Sequence, residues 1–450
     1  MKNLIFIQQF FLYLVTLRFY LVTPLFFLVT PLCGVTGVAL AATPFTLEQC
    51  ISRGLAFNPD VKAYELAVDE AGQGINEARG AFLPTLTLSY NNTELKNNSS
   101  VVRDNDYLDQ QSNSYSCSLT QPLFAGFSGI SGLKKAHYTK QFKKYESQYR
   151  RQQLIQQISS SFYDIVQGQQ LLQKWSESVE RLDNQRLIAA AWVEQELAPR
   201  LRLLEIDVEL ANARQQLSSS KASLAIAQAQ LEEWLAFDSA EQLEINYDAA
   251  ENYVDPCTDI AACIATALQQ RVEQRIVQLN IEIARQEAKL ILARNLPRAD
   301  FEASWVDYER DYEASYPDEK RDYYSFVFKV SMKPFQGGRN LFAWRRQRIA
   351  IERMVQLQIK QRQAIITDVK TRFEQLQEGY SGGFAADNGL VEAREAYQVA
   401  SKSSEVGVSS LNELLDAELR LTRAEINKIT SQHSLYLAHV QLQYALGEQK

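Results

Sequence analysis

Residue types that carry chemistry are sparse in this chain: 450 residues contain three histidines, five cysteines and three methionines, against 21 tyrosines and 21 phenylalanines. His433 and His439 are six apart, a spacing that does not put two side chains on one helix face, so they do not make a metal-ligand pair. Gly126-Phe127-Ser128-Gly129 and Gly72-Gln73-Gly74 touch on nucleophile-elbow and dinucleotide patterns and complete neither. With no catalytic constellation, metal cluster or cofactor motif, the chain reads as a non-enzyme that uses no cofactor. What remains is acidic. Glu413 and Asp416, three residues apart, share one face of a helix, and several such pairs gathered together would attract cations. The same pair also reads as a solvated face near a helix start, where carboxylates suit the dipole.

These two carboxylates lie in a segment that occurs twice. EVGVSSLNELLDAEL (405–419) and ELAPRLRLLEIDVEL (196–210) overlay without a gap, pairing Glu196 with Glu405, Asp207 with Asp416, Glu209 with Glu418 and Leu210 with Leu419. In each a break precedes a helix, Leu197-Ala198-Pro199 in one and Val406-Gly407-Val408 in the other, so each reads as the tip of a helical hairpin. Other landmarks recur at a separation near 210: Cys50-Ile51 with Cys263-Ile264, Leu55 with Leu268, Leu83-Pro84 with Leu296-Pro297, and Pro122 with Pro334. A fixed separation marks an internal duplication. The expected layout is a leader at 1–41, a first repeat at 42–257 and a second at 258–450.

The formal charge of −7 becomes −9 without residues 1–41, which carry only Lys2 and Arg18, and an acidic chain argues against a nucleic-acid partner. Residues 1–41 read as an export signal, with a long apolar run closed by Ala39-Leu40-Ala41 and cleavage after Ala41; the alternative is a retained membrane anchor. Leu32 before Cys33 does not fit a lipoprotein site. Export permits disulfides, so Cys257 and Cys263 can close a small loop, while Cys50 and Cys117 read as free thiols.

Each repeat then runs through the same elements. Segments 46–82 and 258–296 read as helix, Thr46 capping the first. Past Leu83-Pro84 and Leu296-Pro297 the period becomes two, predicting hairpin strands at about 85–95 and 112–121, and at about 298–308 and 323–333. Four strands cannot close a barrel, and an open edge is excluded in a membrane, so the chain must combine strands from two, three or four copies unless the hairpins are soluble. Tyr90, Tyr107, Tyr308, Tyr323 and Tyr324, near the loop ends, suit an interfacial aromatic girdle against membrane lipid.

From about 128 to 195 and from about 339 to 404 no proline intervenes, so each stretch predicts a helix approaching 100 Å at 1.5 Å per residue. Gly168 and the glycines between 379 and 389 are expected to bend or interrupt them. The return helices carry heptads: Leu414, Ala417, Leu421, Ala424 onward and Leu419, Thr422, Ile426, Ile429, His433, Tyr436, Val440 in the second. The first has Leu203, Ile206, Leu210 onward and an alanine-rich face at Ala211, Ser218, Ala222, Ala225 and Ala229. A helix with two seams needs a neighbour on each side, as in a cylinder of helices; heptads alone equally suit a bundle in an all-α domain.

Duplication, L-P before each hairpin, and P-L-F-x-G or P-F-x-G-G after it together resemble the TolC-like outer membrane efflux proteins over nearly all of the chain past residue 41. The resemblance implies a mainly α fold with a membrane β-barrel contribution. It implies a homotrimer whose 12-stranded outer membrane barrel continues into a 12-helix periplasmic α-barrel. It also implies a channel role in drug efflux or type I secretion, with a periplasmic adaptor docking at the tips and an inner membrane pump or ABC exporter as partners. Glu413-Leu414-Leu415-Asp416-Ala417 matches the family's acidic lumen constriction, and Val406-Gly407-Val408 its docking tip, from which Leu197-Ala198-Pro199 departs. Ser404 and Ser409 stand where some members carry basic and aromatic locking residues. The reading from another class is an exported coiled-coil structural or adhesive envelope protein without a pore.

Overall fold

The computed structural model describes residues 44–96, 110–197, 199–237, 244–247, 259–312, 319–406 and 411–447, all within one unit, Pro44–Lys450. The expected leader, Cys33, Tyr107, Ala198, Cys257, Gly407, Val408 and Ser409 lie outside the described residues.

The described elements form two matching series. The first is α1 (Leu47–Phe57), α2 (Pro59–Gly80), β1 (Thr85–Leu95), β2 (Gln110–Ala125), α3 (Ser128–Glu194) and α4 (Arg200–Leu235). The second is α5 (Ile260–Gln270), α6 (Val272–Ala293), β3 (Arg298–Tyr312), β4 (Glu319–Ser331), α7 (Arg339–Glu405) and α8 (Leu411–Leu446). Matching helices have equal lengths of 11, 22, 67 and 36 residues. The shift between copies is 213 before the hairpins (Leu47 to Ile260) and 211 after them (Ser128 to Arg339, Arg200 to Leu411).

That shift corrects the overlay of the tips. Five residues join the helices in each copy (195–199 and 406–410), leaving no room for a two-residue slip. Asp207 therefore corresponds to Glu418, and Glu413 to Arg202. A short window rich in Glu, Leu and Asp matches itself at several offsets, and only helix length picks one.

The segment expected as one helix over 46–82 is two. Thr46 caps α1 with its side chain, accepting from the Gln49 N–H at 3.4 Å while its own N–H donates to Gln49 Oε1 at 3.0 Å. Asn58 then ends α1 and starts α2: its Oδ1 accepts from the Asp60 and Val61 N–H groups at 2.9 and 3.4 Å, and Pro59 fills the first helical position. Its Nδ2 donates to the Trp234 carbonyl at 3.0 Å, tying the joint to the end of α4. In the second copy Arg271 occupies the joint and is held by Glu273 and Asp368, each at 2.7 Å.

The strands form one antiparallel sheet in the order β1-β2-β3-β4. Register rows such as Leu86↔Leu119↔Ala303↔Phe326 and Leu88↔Cys117↔Trp305↔Tyr324 put apolar side chains on one face. The rows between them, Thr87↔Ser118↔Ser304↔Ser325 and Thr85↔Thr120↔Glu302↔Val327, make the other face mostly hydroxyl. The apolar face is uncovered within the chain: Leu86, Leu88, Phe326 and Phe328 are all more than 60% exposed. A sheet that leaves its greasy face bare belongs against lipid or a partner.

The long helices pass unbroken through their glycines, contrary to the expected interruption. Gly168 and Gly379 occupy equivalent positions, where an added Cβ would stand 3.1 Å from the Leu224 side chain and 3.2 Å from the Leu435 Cα. They are points of close approach between each long helix and its return helix. The two helical cores repeat as well. Leu154, Ile158, Ile165, Leu231 and Leu235 are buried in the first, and Ile365, Val369, Leu376, Leu442 and Leu446 in the second.

Candidate functional site

The first tip begins with a tight turn at the end of α3. Glu196 adopts φ 57, and the Leu197 N–H then reaches back to the Trp192 carbonyl at 2.8 Å while the Glu196 N–H reaches Val193 at 3.1 Å. This closes α3 with a Schellman motif that uses Glu in place of the usual Gly. Pro199, extended at ψ 141, starts α4. At the other tip the Val406 N–H donates to the Lys402 carbonyl at 3.3 Å. Leu197 and Val406 are 70% and 77% exposed.

Glu413 and Asp416 project into solvent from the first turns of α8, while Leu415 and Ala417 between and beside them are buried. Two residues further, Glu418 is fully buried. Its carboxylate accepts from Arg181 Nε at 2.7 and 2.8 Å, from Ser178 Oγ at 3.3 Å and from Thr422 Oγ1 at 3.0 Å. Glu425, one heptad on, lies 3.6 Å from Arg181 and 3.5 Å from Lys174. Burial would pull the Arg181 guanidinium down, but the charge and hydrogen bonds of Glu418, joined by Glu425, outweigh it and hold the pKa above its ordinary value. Burial first, and the charge of Glu418 second, push the Tyr397 phenol up.

This cluster joins α3 of the first copy to α8 of the second, and the joint continues along the helices. His433 Nε2 meets Asp164 Oδ1 at 2.7 Å, Tyr436 stacks on Tyr163 with centroids 5.2 Å apart, and the Tyr436 and Tyr247 hydroxyls lie 2.7 Å apart. Both seams of α8 are therefore used within one chain, one on α7 and one on α3. Sequence reasoning passed over Glu418. A matching seven-residue spacing, Glu418 and Glu425 on α8 against Lys174 and Arg181 on α3, was the available signal.

The aromatic set divides by register. Tyr90 and Tyr324 lie in rows of the apolar face, and Tyr90 packs on Tyr115 at 4.8 Å. Tyr308 and Tyr323 fall in rows with Ser114 and Ser116, on the hydroxyl face, because a one-residue step along a strand reverses the side. They lie on the opposite side of the sheet from Tyr90 and Tyr324. Cys263 is disulfide-bonded, and Cys257, its expected mate, lies outside the described residues. Cys50 and Cys117 are free, and burial pushes the Cys50 thiol up to about 11. Among the described residues no cluster of three or more His, Cys, Asp or Glu could hold a metal, and no helix is long and apolar enough to cross a membrane.

The fold recurs in solved structures. The chain superposes on the Campylobacter jejuni CmeC outer membrane channel with a TM-score of 0.79 at 12% identity, covering 89% of this chain and 85% of that one. It superposes on the open state of the Neisseria gonorrhoeae MtrE outer membrane channel with 0.73 at 15% identity, covering 89% and 88%. The outer membrane protein VceC of Vibrio cholerae gives 0.72 at 13% identity, covering 89% and 96%. No curated protein matches. A family model, outer membrane efflux protein, matches residues 50–236 and again 263–448, once per repeat. Two matches that coincide with the two series of helices and strands carry the conclusion: this chain belongs to the outer membrane efflux protein family.

Proposed function

We propose that this outer membrane protein is the passive exit duct of a tripartite export system. It receives drugs, other small molecules or secreted polypeptides from an inner membrane pump or ABC exporter through a periplasmic adaptor. The observation that carries this reading is the two-faced sheet. Its bare apolar face suits lipid, its Ser/Thr face suits a water-filled lumen, and its β1 and β4 edges suit closure with further copies. Three copies, the number implied by the resemblance, supply twelve strands and twelve long helical segments.

The internal repeat also says how copies join. Within the chain, β2 pairs with β3, and α3 packs on α8. Applying the same relation once more pairs β4 with β1 of the next copy and seats the next copy's α4 on α7. The alanine-rich face of α4 (Ala211, Ser218, Ala222, Ala225, Ala229) is exposed, and it corresponds by the shift of 211 to the α8 seam at Thr422, Ile429, His433, Tyr436 and Val440. On α7 part of the corresponding surface is small, at Gly382, Ala385 and Gly389, with open space around both glycines.

In this reading residues 1–41 direct export and are removed, the repeats meet at 257/258, and Cys257–Cys263 closes a loop ahead of α5. Tyr90 and Tyr324 sit at the membrane boundary. Leu197, Ala198 and Pro199, with Val406, Gly407 and Val408, meet the adaptor. Glu413 and Asp416, six carboxylates in three copies, line the constriction and draw cations into it.

Single-channel current in a planar bilayer tests the reading. The expected result is a small cation-selective current blocked by trivalent cations from the periplasmic side. Replacing Glu413 and Asp416 by Ala raises conductance and weakens that block; unchanged block removes them from the constriction. Absence of both current and membrane-extracted oligomers favours an exported coiled-coil scaffold instead.

A further inference from the structure

Both copies of the repeat build the passage from strand to long helix out of the same elements, yet only the second fills it with cations. Arg294, Arg298, Lys333 and Arg339 line a cleft of about 530 Å³ whose lining, among the described residues, includes no carboxylate. In the first copy the corresponding residues are Ala81, Thr85, Gln121 and Ser128, Gln121 preceding Pro122 as Lys333 precedes Pro334. Since that copy forms the same junction with neutral residues, the cations are not needed for the fold.

Their partners within the chain are few. Arg298 donates through Nε to Asp300 at 2.8 and 3.0 Å, and Arg339 donates to the Gln336 side-chain oxygen at 3.2 Å. Neither Arg294 nor Lys333 forms an ion pair among the described residues. Like charges gathered around a cleft repel one another, and an anion relieves that cost.

The cleft abuts the hydroxyl face of the sheet, because Ala125↔Arg298↔Ser331 is one register row on that side. In the channel reading, on which this inference rests, that face lines the lumen. The cleft then opens into the passage where the barrel meets the helical tunnel. Arg339 has another assignment. It corresponds to Ser128, which shares the cleft with Leu290 of α6, so in the ring it faces the next copy's α2, where Glu77 corresponds to Leu290.

We propose that Arg294, Arg298 and Lys333 form a luminal site, once per chain, for the phosphate or carboxylate group of a passing solute. Guanidinium groups match the flat, two-oxygen edge of such anions, Lys333 adds a mobile point charge, and Ser331 adds a hydroxyl donor. The duct then holds acidic groups at its periplasmic tip and basic groups at the foot of its barrel.

The test is single-channel current with inorganic tripolyphosphate as the probe, comparing the natural chain with two variants, Arg294→Gln/Lys333→Gln and Ala81→Arg/Gln121→Lys. Tripolyphosphate should block the natural channel, the first variant should need on the order of tenfold more of it, and the second should need less. Equal block in all three overturns the site while leaving the channel intact. Unchanged block together with loss of co-purified anionic phospholipid from the first variant, read by mass spectrometry, overturns it in favour of a lipid phosphate on the cleft. No current from any of the three overturns the channel reading and this site with it.

Discussion

A carboxylate sealed from water must be held by charge, and Glu418 is held by Arg181 at 2.7 Å with Ser178 and Thr422 completing its shell. Removing one partner of such a pair leaves the other charge buried and costs about 3 kcal/mol or more. Glu418→Ala is therefore expected to lower the thermal midpoint in detergent, while Arg181→Met/Glu418→Leu recovers most of the loss. Equal losses in the two variants would show that packing, not charge, holds the joint. Cys50 gives a second residue-scale expectation. The free thiol normally ionises near 9.0, and burial in the folded chain raises that to about 11. The folded form keeps the proton that the unfolded form loses, so this contribution is intact below about pH 9 and fades as the pH climbs towards 11. At pH 8 iodoacetamide should modify Cys50 only as fast as the protein unfolds, as read by peptide mass spectrometry; fast labelling of the folded protein contradicts its burial.

At the scale of elements, Gly168 and Gly379 set the points of closest approach between the long helices and the return helices. At both, an added Cβ would stand 3.1 or 3.2 Å from the equivalent leucine, so a larger side chain must push the helices or the leucine aside. Overpacking of this kind typically costs 1–3 kcal/mol. Gly168→Leu and Gly379→Leu are each expected to destabilise by about that amount, measured by denaturant midpoint. A neutral result at either site would mean the helices separate there without penalty. Symmetry between the two costs would follow from the shared geometry, since both glycines sit at the same turn of helices of equal length.

For the whole molecule, the chain supplies only part of a closed surface. The α3–α8 joint brings the Ser178 and Thr422 hydroxyls to 3.1 Å. Their equivalents at the shift of 211 are Gly389 and Ala211, which have no such neighbour among the described residues. Ala211→Cys/Gly389→Cys is accordingly expected to form disulfides between copies, giving covalent oligomers on a non-reducing gel, while each single variant does not. Failure of the pair to link, with Ser178→Cys/Thr422→Cys linking normally inside the chain, would refute the proposed ring.

Much of this architecture is written in local pattern. The switch from period 3.6 to period two after each Leu-Pro, the proline-free stretches and the recurring landmarks depend only on neighbouring residues and chain stiffness, so strands, long helices and duplication were legible from the sequence. The break at Asn58-Pro59 is also a local cap-and-proline signal, hidden inside a continuous helical pattern, whereas the tie of Asn58 Nδ2 to the Trp234 carbonyl 176 residues away was not legible. The two-residue slip at the tips arose because similar letters carry no length information, whereas equal helices of 67 and 36 residues do. Tyr308 and Tyr323 were assigned by proximity to loop ends, but the side on which a strand residue lies is set by cross-strand register. Glu418 and the cations at Arg294 and Lys333 acquire meaning only when segments distant in sequence lie side by side. Periodicity is local and survives in a linear string; burial of a charge, the face of a sheet and the matching of two copies are relations in space, which packing alone creates.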